Sequence, residues 1–153
     1  SALATAGGAL SAAAAEDEIE ILIENNVDPG ALIIVHAQNT STDDQVALAK
    51  KGAWISLDGI KSSPQSIYDY TQMLINLKNK KLLDNTLISQ DAFWQVMKNE
   101  HEEIYFEHHG SPCSAIFKGL IPSLKHAGFT PEEIDQLLIE NPAKAYKIEI
   151  LKK

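Results

Sequence analysis

Three polar residues stand at the ends of apolar runs. His36 closes "ALIIVH", Asp58 closes "AWISLD" and Asp91 closes "NTLISQD". An imidazole and two carboxylates suit zinc or a similar divalent cation. Each residue also has an ordinary explanation. A lone histidine at a strand end commonly bonds a loop, Asp58 before Gly59 suits a turn, and Asp91 could cap a following helix. Two ligands do not make a site, because catalytic zinc normally has three from protein. The residues alone leave ligand and loop former both open.

The elements that must position them alternate in period. "EDEIEILIENN" sets Ile19, Leu22 and Ile23 at helical spacing and stops at Asn25 and Asn26. The strand 31–36 follows the turn "VDPG". "STDDQVALAKKG" reads as a helix with capping residues first, Lys50 and Lys51 in its last turn, and Gly52 as its stop. Strand 53–58 comes next. The loop "GIKSSP" then leads into the helix "QSIYDYTQMLINLKNKK", with Ile67, Tyr70, Leu74 and Leu77 on one face. "NTLISQD" is the third strand, and 92–112 reads as irregular. "CSAIFKGLIPSLKHAG" is helical, with Pro122 expected to kink or break it. In "TPEEIDQLLIEN" Thr130 is the cap, Pro131 the first helical residue and Glu133 the partner in a capping box. "NPAKAY" restarts a last short helix.

Strands apolar on both faces and separated by helices predict an α/β fold with a parallel sheet. In such a sheet every strand's C-terminal end lies on one edge. That edge carries the active site in open α/β sheets and (β/α) barrels, so His36, Asp58 and Asp91 can converge there.

Composition narrows the function. A chain of 153 residues with 44% hydrophobic and 22% charged residues suits one soluble domain. A net charge of -8 argues against nucleic acid. All 13 basic residues are lysines, so the bidentate arginine clamp for phosphate is absent. The single cysteine, Cys113, excludes an internal disulfide and fits a reducing, cytoplasmic setting. No run reaches the roughly 18 apolar residues of a membrane span, and no signal peptide is visible. Residues 1–15 are a low-complexity stretch of Ala, Gly and Ser, on which no site residue is placed.

Several segments resemble the phosphotriesterase-like amidohydrolases, in collinear order from about residue 19 to 148. "LIIVHAQNTSTDDQVALAKKGAWISLDGI" resembles strands six and seven of that family, and "KKLLDNTLISQDAFW" its eighth, with a Ser-x-Asp that supplies a metal ligand. "IPSLKHAGFTPEEIDQLLIENPAKAY" is similar to its C-terminal signature. The resemblance implies a (β/α)8 barrel holding two divalent metals, usually zinc, bridged by a modified lysine and a hydroxide. It makes His36 a ligand of the second metal. It makes Asp91 a ligand of the first and the acceptor of a proton from the attacking hydroxide. Asp58 would shape the leaving-group pocket. The family's strand-one His-x-His and strand-four lysine have no counterpart here. A full barrel takes about 250 residues, so the chain is expected to be roughly its second half, strands 5/6 to 8. The fifth-strand histidine falls at Ala4 in "LATAGG". Self-pairing as a homodimer is a further expectation, although it would not restore the absent ligands.

The stretch after Asp91 corresponds to the family's eighth loop, over the substrate. Trp94 is a candidate pocket wall, and a packing residue on the other reading. His108 and His109 are adjacent and so diverge, which favours a polar loop over a metal pair. "HHGSP" before a helix offers free N–H groups to an anion. With His109 and Lys118 it suggests a substrate bearing phosphate or carboxylate. Loops of this style resemble those of sugar-lactone hydrolases. A lactonase is therefore the first expectation, a phosphotriester or other ester hydrolase on the same metals the second, and a non-catalytic binding piece the third.

Overall fold

Four parallel strands run side by side in chain order: β1 (Leu3–Thr5), β2 (Leu32–Ile34), β3 (Trp54–Leu57) and β4 (Thr86–Ile88). The computed structural model describes residues 3–5, 12–98, 100–101, 104–109 and 114–147, the side chains of 3–5, 93–98 and 104–109 excepted. Helix α1 (Ala12–Glu24) links β1 to β2, α2 (Thr42–Lys50) links β2 to β3, and α3 (Pro64–Asn79) links β3 to β4. Every residue of β2 and β3 is buried. That is the signature of strands covered on both faces, as in a parallel α/β arrangement.

Leu32, Ile34, Ile55 and Leu57 pack with Ile19 of α1, Leu48 of α2 and Leu74 and Leu77 of α3. The other face holds a smaller cluster of Ile33, Trp54 and Leu87 with Ala145. Alternation along each strand divides the two sets, as a period of two requires.

Local chemistry sets the boundaries. Ser41 caps α2 and Ser63 caps α3, each accepting a backbone N–H from three residues on. Gly52 ends α2 at φ 103°, a conformation glycine adopts without penalty. The Thr130–Glu133 capping box opens α5 (Pro131–Asp135) with Pro131 in its first turn, as the sequence implies.

Two segments depart from expectation. Residues 93–98 and 104–109 are not irregular: β5 (Phe93–Lys98) and β6 (Ile104–His109) form an antiparallel hairpin. Its Phe, Trp, Val, Ile and Tyr are strong strand formers, a cue masked by the charged turn between them. Pro122 does not break its helix. The turns Ile116–Leu120 are π-helical and run straight into α4 (Ile121–His126), so the irregularity at the proline is taken up as a π segment within a continuous helical run. A second π segment, Gln136–Glu140, joins α5 to α6 (Asn141–Ala145). No helix among the described residues is long and apolar enough to cross a membrane.

Candidate functional site

Val35 and His36 turn away from the end of β2 instead of extending it. His36 lies at φ 55°, ψ 31° and opens the short 3-10 turn Ala37–Asn39. Gln45 of α2, fully buried, donates to the carbonyl of Ala37 at 3.0 Å and pins that turn. Asp58 directly follows β3 and is 6% exposed. Its Oδ1 lies 2.5 Å from His36 Nδ1, and its Oδ2 accepts the His36 backbone N–H at 2.8 Å.

Asp58 oxygens also accept from Gln38 Nε2, so the carboxylate acts as acceptor throughout. His36 Nδ1 must then carry the proton. In a neutral ring Nε2 is left with its lone pair free. The His36 side chain remains 38% exposed. A histidine held at Nδ1 by a carboxylate and open at Nε2 is arranged as a metal-ligating imidazole is.

The resemblance assigns Asp58 to the wall of a substrate pocket. In the structure Asp58 is buried, and its carboxylate meets the ring and the backbone N–H of His36. No sequence signal marks that pairing, because 22 positions separate the two residues.

Asp91 is exposed and sits three residues beyond β4 at φ 48°. A strand, not a helix, follows it, which removes the helix-cap explanation. Ser89 pairs back to Leu57 and Ile60 through its N–H and carbonyl. The chain leading to Asp91 therefore runs beside Asp58.

Backbone conformation singles out the same two residues. Among the described residues four non-glycines have positive φ: Asn26, His36, Lys81 and Asp91. Asn26 and Lys81 terminate α1 and α3, where Val27 and Leu82 donate back to Leu22 and Leu77. That is the ordinary left-handed helix stop. His36 and Asp91 follow strands, where no such motif explains them. Strained backbone of this kind gathers at functional sites.

Tyr70 of α3 ties the strand ends together. It is 8% exposed, and its hydroxyl donates to the Asp58 carbonyl. Burial first, then the charges of Asp58 and Asp91, push its phenol from 10.0 up to about 12. Because the folded phenol ionises above the unfolded one, its contribution is intact below pH 10 and is lost as pH rises through about 12. That gap corresponds to roughly 2–3 kcal/mol. Tyr70→Phe is expected to abolish this part of the alkaline loss of stability, read from thermal unfolding between about pH 9 and pH 12.

The remaining candidates lie on other elements. Trp94 lies on β5 opposite His108, and His109 on β6 opposite Phe93. Their side chains fall outside the described residues, as do residues 110–113, where the sequence suggests an anion-binding turn. Lys118 is exposed on the π turn. Ala4, in the place where the family's pattern puts a histidine, lies on β1 in register with Ile33. Among the described residues no group of three His, Cys, Asp or Glu could hold a metal ion. The donor chemistry of His36 and Asp91 fits a divalent cation, but these residues do not complete its shell. A cleft of about 230 Å³ lined by Lys78, Lys81, Leu83, Asp84, Glu133 and Gln136 lies near residues that precede β4, away from the strand ends that lead to His36, Asp58 and Asp91.

The model of the phosphotriesterase family matches residues 5–146. The chain is 29% identical over 136 residues to an aryldialkylphosphatase of Saccharolobus solfataricus, covering 85% of this chain and 43% of that protein. The phosphotriesterase from Mycobacterium tuberculosis superposes with a TM-score of 0.64 at 20% identity, over 88% of this chain and 42% of that one. A structure described as organophosphate hydrolysis activity engineered from a weak promiscuous lactonase template matches with a TM-score of 0.66 at 19% identity, over 87% and 44%. The chain spans less than half the length of each of these relatives. The superpositions bear out the fold class: α/β, with parallel strands forming part of a (β/α)8 barrel.

Proposed function

Because the chain belongs to the phosphotriesterase family, we propose that the protein carrying it is a metal-dependent hydrolase that opens sugar-derived lactones, phosphorylated ones included. The observation that carries this reading is the pairing of His36 Nδ1 with buried Asp58, which leaves Nε2 free at the C-terminal end of a parallel sheet. The likeness to a protein engineered from a lactonase template supports the substrate class.

His36 and Asp91 would hold a divalent cation, zinc being the first choice for an imidazole–carboxylate set. When bound, the cation lowers the pKa of water towards neutrality and polarises the scissile carbonyl or phosphoryl group. Asp58 holds the His36 ring in place. Asp91 accepts the proton released as the nucleophile attacks. Lys118, His109 and Trp94 would meet the substrate from the segments beyond β4.

Metal content and initial rates on a panel of sugar lactones, aryl phosphotriesters and aryl esters, with and without chelator, test the proposal. Chelator-sensitive lactone opening is expected. Hydrolysis indifferent to chelator, or a purified protein that binds no metal, would overturn it. A preference for phosphotriesters would move the substrate class and keep the site. Within the same reading, Asp58→Asn should weaken zinc binding about 10- to 100-fold, measured by competition with a chromophoric chelator. The amide supplies one acceptor oxygen where the carboxylate supplied two.

Ala4 favours a second reading. Alanine offers no donor atom where the family's pattern puts a histidine, which suits a non-catalytic binding protein on the same fold. Under that reading His36→Ala changes neither metal content nor any activity.

A further inference from the structure

Asp58 is gripped on every polar atom. Oδ1 meets His36 Nδ1 at 2.5 Å and Gln38 Nε2 at 2.9 Å, and Oδ2 meets the His36 N–H at 2.8 Å and Ser56 Oγ at 3.5 Å. Its own N–H donates to Gln38 Oε1 at 3.1 Å, and its carbonyl accepts from Tyr70. Two of these bonds come from one side chain. Gln38 holds the Asp58 carboxylate with its NH₂ and the Asp58 backbone with its C=O.

Only one orientation of that amide works. The Asp58 N–H needs an acceptor and the carboxylate needs a donor, so a flipped amide loses both bonds. A carboxylate otherwise turns easily about its last torsion, where the preference is broad. A clamp at the backbone and at one oxygen together removes that freedom. It also fixes which oxygen meets the imidazole. His36 needs such a partner, because its side chain is 38% exposed and has room to turn.

We propose that Gln38 is a positioning residue: its amide fixes the Asp58 carboxylate so that His36 keeps its proton on Nδ1 and leaves Nε2 free. The consequence for a metal rests on the function proposed above. The effect on the ring does not.

The test is a long-range proton–nitrogen spectrum of the His36 ring in metal-free protein at about pH 8.5, where an ordinary imidazole is neutral. The wild type should show a protonated Nδ1 and an unprotonated Nε2. Gln38→Met, which keeps the volume and removes both bonds, should give a mixture of tautomers. Its zinc affinity should fall about tenfold, the lower end for a residue that acts through a ligand's partner. An unchanged ring pattern in Gln38→Met overturns the proposal, even if the variant melts earlier.

Should that variant fail to fold, the wild type decides. A slowly exchanging Gln38 amide proton in contact with the Asp58 N–H or the His36 ring supports the clamp, and a freely exchanging one overturns it. A tautomer shift in Gln38→Met in a protein that binds no zinc even as wild type would reject the hydrolase reading and leave the clamp standing.

Discussion

On the function proposed above, Asp91→Asn is expected to lower turnover by roughly 10²- to 10⁴-fold, the usual worth of a positioned proton acceptor. Asparagine keeps an oxygen that can face a cation, yet it cannot take up a proton at neutral pH. The backbone gives no competing reason for a loss. Asp91 sits at φ 48°, and asparagine visits that left-handed region at least as readily as aspartate. Since the residue is exposed, little packing is at stake either. A second readout needs no substrate. Burial and the charge of Asp58 raise the Tyr70 phenol more than the charge of Asp91 does, so removing Asp91 should lower the phenol only slightly, seen by ultraviolet titration of phenolate. A turnover within about twofold of wild type would remove Asp91 from the chemistry.

The legible part of the fold was the part written in short-range pattern. Gly52, Ser41 and the Thr130–Glu133 box announce helix ends because capping is a local interaction, complete within a few residues. Burial of β2 and β3 on both faces was likewise visible as unbroken apolar runs. The hairpin of β5 and β6 was not. Its alternation is interrupted by charged residues, and nothing local says that Phe93 will pair with His109.

The site divides the same way. His36 and Asp91 stand out as polar ends of apolar strands. The roles of Asp58, Gln38 and Tyr70 depend on contacts between elements 12 to 22 residues apart, which no spacing encodes. Asp58 before glycine has the look of a turn former and is the most heavily bonded side chain around His36. The left-handed backbone of His36 and Asp91 is equally invisible, since neither residue type demands it.

Asn141→Leu is expected to cost about 2–4 kcal/mol, from two buried hydrogen bonds lost at once. Asn141 is fully buried where α6 begins, and its Nδ2 donates to the carbonyls of Leu83 at 2.6 Å and Thr86 at 2.8 Å. One side chain therefore fastens the last helix to the residues that start β4. This gives the "NPAKAY" segment a physical role: the asparagine ties, and Pro142 follows directly after the π segment that joins α5 to α6. Leucine matches the volume but sets methyl groups against two carbonyl oxygens. A loss of that size is a large fraction of the roughly 5–15 kcal/mol that holds a domain together. Urea unfolding measures it, and a cost below about 1 kcal/mol would mean that the tie is dispensable. The damage should fall on stability and not on chemistry. Asn141 holds the start of the strand from whose other end the chain runs on to Asp91. Variant protein that remains folded should therefore keep its turnover, whereas Asp91→Asn should keep its stability and lose its turnover. Opposite outcomes in the two variants would separate what builds the strand from what the chain beyond it presents.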